Sequence, residues 1–202
     1  MLFFLDEWGP TLVKKRGGRD YRHKTDATTI PRRQTPRGTV SLVGELSATT
    51  NRVTWQFVKS KDSEAMMDLL EMLYNQYHTK TKLYVTWDAV AWHNSSSLLE
   101  ALDHFNEQTR KDSAGPIIEL VPLPTSAQFL NVIEGVFSGM TRAVIHNSDY
   151  PSPLEMKLAI STHFNDRNEH FRKNPKRAGK KMWDLDFFQN FDSLRSGDYR
   201  DW

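Results

Sequence analysis

The chain has 202 residues, of which 38% are hydrophobic and 26% are charged, and its net charge is only +2. These values suit one compact domain with its own core, and no apolar run approaches the roughly 20 residues that a membrane-spanning helix needs. The absence of cysteine excludes disulfides, thiolate metal sites and cysteine nucleophiles. Because no export signal is visible at its start, we expect the protein in the cytoplasm of a bacterium, or in a nucleus.

The first half of the chain predicts three strands and one helix. Residues 2–5 are an unbroken apolar run that stops at Asp6, which is typical of a strand buried on both faces. Two β-rich runs between residues 40 and 58 are joined by a turn and predict an antiparallel hairpin. Residues 64–78 carry apolar side chains at helical spacing, so we expect a helix that buries one face.

The second half alternates strands with helices. Residues 83–87 read as a strand that ends at Asp88, and a helix is expected from about Ser97. A further strand at residues 117–123 precedes a helix whose apolar stripe borders Glu134. The last helix should begin at Ser152, where Pro and Glu follow with capping-box spacing. This order predicts an α/β domain with a mixed sheet and helices on its faces.

Three acids are placed where they could act together. Asp6 and Asp88 follow apolar strands, Glu134 lies on a helix, and the ends of neighbouring strands commonly form the site for chemistry. Gathered carboxylates repel one another unless cations neutralise them, and Mg²⁺ prefers carboxylate oxygens with water and phosphate. Two such ions about 3.5–4 Å apart can promote phosphodiester cleavage. The pattern therefore permits a nuclease but does not require one.

Positive charge is concentrated in two segments. Residues 14–37 contain nine Lys or Arg against two acids, and residues 172–181 contain six and no acid. Such segments attract phosphate backbones, although a solvated surface is the alternative interpretation. The candidates for DNA contact are Lys14, Lys15, Arg16, Arg32, Arg33, Arg37, Lys176, Arg177, Lys180 and Lys181.

Three motifs resemble those of the Asp-Asp-Glu transposases of the mariner superfamily, especially the branch found in bacterial insertion sequences. The first is the apolar strand that runs into Asp-Glu at residues 2–7, and the second is residues 83–88 followed by His-Asn-Ser at 93–95. The third, and most specific, combines Leu-Val-Pro-Leu-Pro at 120–124 with Leu-Asn-Val-Ile-Glu at 130–134. Residues 174–181 with Trp183 also resemble the C-terminal end of that branch, so the resemblance covers nearly the whole chain.

The resemblance implies a ribonuclease-H-like fold: a mixed five-stranded sheet with helices on its faces. The catalytic domain would span residues 1–172 and be followed by a basic and then acidic arm at 173–202. The helix-turn-helix region that usually precedes this domain would be absent. The first strand would pair with the hairpin on one side and with the strand before Asp88 on the other.

The resemblance also implies a function. Asp6, Asp88 and Glu134 would be the catalytic residues and would bind two Mg²⁺ ions, for which Mn²⁺ can substitute. Water would attack the phosphodiester at a transposon end, and the freed 3′-hydroxyl would attack target DNA. The implied partners are transposon-end and target DNA and a second copy of the chain, at the nucleoid, with no membrane and no nucleotide cofactor.

Residues beside the three acids are expected to support them without binding metal: Glu7, His93 and Asn131. Ala89, Phe129 and Val132 stand where the family often has Asn, Trp and Pro, but none of these is a ligand. Two alternatives remain open, an inactive remnant that binds DNA or assembles, and another ribonuclease-H-like nuclease. Joining of a 3′ end to new DNA separates a transposase from both.

Overall fold

The computed structural model of the protein describes residues 1–18, 29–87, 96–121, 123 and 130–179. Five strands are found there: β1 (Leu2–Leu12), β2 (Thr39–Ser47), β3 (Val53–Val58), β4 (Lys82–Thr86) and β5 (Ile117–Leu120). The α-helices are α1 (Ser63–Gln76), α2 (Ser96–Asp112), α3 (Val132–Met140) and α4 (Pro153–Lys173). A π-helical turn, Thr141–Ile145, continues α3. Within the described part of the chain, no helix is long and apolar enough to cross a membrane.

The strands form one mixed sheet in the order β3-β2-β1-β4-β5. β1, β2 and β3 are antiparallel neighbours, whereas β4 is parallel to β1 and β5 is parallel to β4. β1 therefore lies between the hairpin and the strand that precedes Asp88. The predicted α/β class and the predicted pairing of the first strand are both confirmed.

The first strand is longer than its apolar run. The prediction that it stops at Asp6 is wrong, because β1 continues to Leu12 and Asp6 lies near its middle. Backbone pairing with β2 extends from Phe3 to Leu12, with a register irregularity between Trp8 and Thr11. Pairing of the main chain satisfies the peptide groups whatever the side chains are, so polar residues continue the strand beyond its hydrophobic start.

Each face of the sheet carries its own core. Phe3 and Leu5 pack with Met66 and Leu69 of α1 on one face, and Phe4 packs with residues of α3 and α4 on the other. Successive side chains of a strand point to opposite faces. Asp6 therefore shares the face of Phe4, under α3 and α4.

The helices largely follow their predicted signals. α1 buries the predicted stripe, including Leu70 and Leu73, and the hydroxyl of Ser152 caps α4 by accepting from the N–H of Leu154. The chain then turns back toward the sheet, where the N–H of Ala178 donates to the carbonyl of Ala48 at 2.9 Å. Ala178 is only 1% exposed and packs on the domain, whereas residues 174–177 between it and α4 are exposed.

Candidate active site

A cleft of about 430 Å³ opens between β1 and the helical segment that begins with α3. Asp6 and Glu134 both line it, so the structure brings two of the three predicted acids to one place. The other lining residues are Glu7, Trp8, Phe137, Ser138, Thr141, Arg142 and His146. The cleft thus combines carboxylates from both β1 and α3 with a cation and polar groups further along the helical segment.

A glycine sets how closely α3 approaches Asp6. Gly44 of β2 is the register partner of Asp6, and a Cβ there would lie only 3.1 Å from the ring of Phe137. The missing side chain lets Phe137, which is 4% exposed, pack directly on the sheet. Glu134 lies one helical turn before Phe137. The close approach of Phe137 to Gly44 therefore limits how far the helix that carries Glu134 stands from the sheet.

Two hydrogen bonds hold the helical segment to β1 at either end. The buried amide of Asn131, which immediately precedes α3, donates to the carbonyl of Leu5 at 3.0 Å. The indole N–H of Trp8 donates to the hydroxyl of Thr141 at 2.9 Å. Asp6 is also oriented locally, because the N–H of Glu7 donates to its Oδ1 at 2.8 Å. One carboxylate oxygen of Asp6 is thereby positioned before any ligand binds.

The expected supporting residues have different surroundings. Glu7 lies 3.7 Å from the ammonium of Lys61 and its side chain is 9% exposed, while Lys61 also donates to the carbonyl of Gly9 at 2.9 Å. Asn131 acts on the backbone beside Asp6. Asp88 and His93 lie outside the described residues. Among the residues that are described, no three His, Asp or Glu form a group that could hold a metal ion.

The predicted DNA-contact residues do not form one group. Four of them, Lys14, Lys15, Arg16 and Arg32, line a basic pocket of about 400 Å³ together with Gly17, Ile30, Pro31, Gln34 and His146. Arg37 instead donates to Asp149 and to the carbonyl of Tyr150, both at 2.7 Å. Arg33, Lys176 and Arg177 are exposed. Lys180 and Lys181 fall outside the described ranges.

Several cleft residues were not identified from the sequence. Ser138, Thr141 and Arg142 follow Glu134 at i+4, i+7 and i+8, which is a polar stripe beside the apolar one. That spacing was a usable signal for the wall of the cleft. No local pattern marks His146, which follows the π-helical turn and reaches the cleft only through long-range packing.

The sheet order and the two helical layers define a ribonuclease-H-like fold. Residues 1–157 match the DDE superfamily endonuclease family, so the chain belongs to that family. No curated protein matches the chain significantly.

The structure is similar to solved structures of the Mos1 transposase. For the paired-end complex with the left transposon end, the TM-score is 0.60 at 14% identity, over 84% of this chain and 49% of that chain. The Mos1 strand transfer complex gives 0.60 at 15% identity, and the mariner Mos1 paired end complex with Mn gives 0.59 at 14%, both with the same coverage. This chain spans about half the length of the Mos1 chains that it matches. At such identities the likeness establishes the fold.

Proposed function

We propose that the chain is the catalytic domain of a transposase that cleaves DNA and joins the freed 3′ end to new DNA. One observation carries the proposal: Asp6 and Glu134, which belong to separate motifs, line one cleft of a DDE-family domain. The motif at residues 130–134 supports the finer assignment to the bacterial insertion-sequence branch. Transposon-end DNA, target DNA and a second copy of the chain would be its partners.

Asp88 completes the proposed set of acids. In the ladder between β1 and β4, Phe4 pairs with Thr86. Asp88 follows Thr86 by two residues in the sequence, as Asp6 follows Phe4. Parallel strands in register keep equivalent residues side by side, which supports grouping Asp88 with Asp6.

The donor set fits a hard divalent cation. Asp6 and Glu134 offer carboxylate oxygens to the cleft, which are ligands that Mg²⁺ and Mn²⁺ prefer. Asp6, Asp88 and Glu134 would hold two Mg²⁺ ions, with Mn²⁺ as a substitute. When bound, such ions lower the pKa of water and stabilise the leaving oxygen of a phosphodiester. The backbone N–H of Glu7 and the contact of Phe137 with Gly44 would keep the two acids in place during the reaction.

The test is cleavage and strand joining on labelled duplex DNA with Mg²⁺ or Mn²⁺. Loss of any one of the three acids should lower the cleavage rate by about 10³-fold or more, because one lost ligand removes several kcal/mol of transition-state stabilisation. The variants are Asp6→Asn, Asp88→Asn and Glu134→Gln. The exposed acids Asp103 and Glu119 provide matched controls, Asp103→Asn and Glu119→Gln, which should cleave normally.

Other outcomes would assign the chain differently. Wild-type cleavage by Asp88→Asn would remove that residue from the site. Cleavage without joining of the 3′ end would favour a different ribonuclease-H-like nuclease. A folded wild-type chain that binds DNA but never cleaves it would favour an inactive, DNA-binding remnant.

A further inference from the structure

His146 borders two cavities at once. It lines the cleft that contains Asp6 and Glu134, and it also lines the basic pocket of Lys14, Lys15, Arg16 and Arg32. The two cavities therefore meet at one exposed side chain. A linear polyanion that occupied both would pass His146.

The boundary between the cavities is held by backbone contacts. The N–H of Arg16 donates to the carbonyl of Ser148 at 2.8 Å, and the N–H of Asn147 donates to the carbonyl of Gly17 at 3.4 Å. The two segments approach so closely that a Cβ at Gly18 would lie 2.9 Å from the Cβ of His146. The basic segment is therefore attached to the end of the helical segment that carries Glu134.

Arg142 supplies a cation on the cleft side of this boundary. Its guanidinium donates to the hydroxyl of Ser138 at 2.9 Å, a neutral partner that leaves its positive charge uncompensated by that bond. Ser138 and Arg142 both line the cleft with Glu134. Guanidinium groups bind phosphate oxygens in a fixed fork geometry. The order along the wall is thus carboxylate, Arg142, His146 and then the basic pocket.

We propose that Arg142 and His146 form a binding subsite for the phosphates next to the cleaved one. The DNA strand leaves the carboxylate cleft past these two residues and continues onto Lys14, Lys15, Arg16 and Arg32. The inference rests on the proposed function, since the cleaved phosphodiester defines where the strand begins. Contacts to phosphates position a strand without reading its bases, so this subsite adds affinity and register but no sequence preference.

The first experiment measures binding without metal, so that it does not depend on cleavage. Two double variants are titrated with fluorescent duplex DNA in EDTA over a range of salt concentrations. The subsite variant is Arg142→Gln/His146→Gln, and the matched control on α2 is Arg110→Gln/His104→Gln. Each lost phosphate contact should flatten the slope of log affinity against log salt by about 0.9. We expect a slope change of about 1 to 2 for the subsite variant and none for the control. Equal slopes for both variants would overturn the proposal.

The second experiment locates the contact. The chain contains no cysteine, so His146→Cys introduces a unique thiol, and His104→Cys provides the control. Each variant is mixed with duplexes that carry a disulfide-activated tether on one phosphate, placed at successive distances from the cleavage site. Cross-linking through position 146 should peak at the phosphates adjacent to that site and be uniformly weak through position 104. A flat profile through position 146 would reject the subsite.

The two proposals fail in different ways. In one case the wild-type chain cleaves DNA, but Arg142→Gln/His146→Gln has the same salt slope as the control variant. The subsite proposal is then rejected and the transposase assignment stands. If the wild-type chain never cleaves but the double variant flattens the slope, the two residues bind phosphate and the catalytic assignment is wrong.

Discussion

Asp6 and Glu45 are acids on adjacent strands, and they face opposite sides of the sheet. In the register of β1 and β2, Asp6 lies opposite Gly44 and Leu5 lies opposite Glu45. A shift of one residue along a strand exchanges its faces. Asp6 borders the open cleft under α3, whereas Glu45 is 0% exposed on the side of α1.

Burial gives Glu45 a different chemistry. Loss of water raises the pKa of Glu45 to about 8, and this outweighs the opposing effects of Thr54 and Arg52. Thr54 lies beside the carboxyl, yet neither oxygen makes a hydrogen bond of regular geometry with a described residue. Burial, with Glu45 as a second cause, also raises the pKa of Tyr77 to about 12. Glu45 is therefore mainly protonated at neutral pH, whereas Asp6 lines the cleft. Burial thus gives two acids on adjacent strands different surroundings and different chemistry.

A substitution that displaces α3 from the sheet beside Asp6 should have the largest effect on the cleavage rate. Gly44→Val places a branched side chain against Phe137, so α3 must move away from β1. Overpacking costs about 1–3 kcal/mol of stability, and a displacement of Glu134 of about 1 Å should lower the cleavage rate about 10²-fold. Thr39→Val, at the exposed end of β2, is the control. Denaturant unfolding and the cleavage assay measure the two effects, and unchanged cleavage by Gly44→Val would show that this contact does not position Glu134.

The burial of Glu45 is tested by measuring the stability of the fold as a function of pH. The pKa of Glu45 is raised on folding, from 4.5 to about 8, so the folded state holds the proton more tightly and stability is lost as pH rises through that window. The free energy of unfolding should fall by on the order of a few kcal/mol between pH 5 and 8.5. Glu45→Gln should flatten this dependence and leave cleavage at pH 7 unchanged, whereas Glu119→Gln should retain the wild-type slope. Urea titrations at successive pH values measure the free energy of unfolding. If its dependence on pH is unaltered in Glu45→Gln, that dependence belongs to other groups.

Two buried asparagines allow the two faces of the sheet to be compared again, with a smaller expected effect on the cleavage rate. Asn131 donates to the carbonyl of Leu5 under α3, and Asn106 pairs with both backbone groups of Ile118 on the opposite face. Each substitution by Ala should cost about 1–3 kcal/mol, because a buried backbone group loses its partner. Only Asn131→Ala should also slow cleavage, since only that bond lies beside Asp6. Equal cleavage rates in the two variants would restrict Asn131 to a structural role.

The local patterns predicted most of the elements but not where they converge. Short apolar runs were sufficient to predict the strands, and helical spacing and capping residues were sufficient to predict α1 and the cap of α4. These features depend on neighbouring residues. The strand end at Asp6 was misplaced, since pairing with β2, and not hydrophobicity, extends β1. Gly44 was not identified because its role depends on Phe137, which is remote in sequence. Asp6 and Glu134 were selected from their positions after an apolar strand and on a helix, and the resemblance to family motifs supported that choice. Their meeting in one cleft depends on packing that no window of sequence contains.

The π-helical turn has a consequence for how such a domain can vary. The N–H of His146 donates to the carbonyl of Thr141 at 3.1 Å, five residues earlier, so the turn contains one residue more than an α-helix would need. A π-helical turn accommodates its additional residue locally, so deletion of a single residue from Thr141–Ile145 would restore α-helical bonding and leave the residues on either side near their present positions. Glu134 and His146 would both keep their places beside the cleft. The segment that joins them can therefore lose one codon without moving either residue.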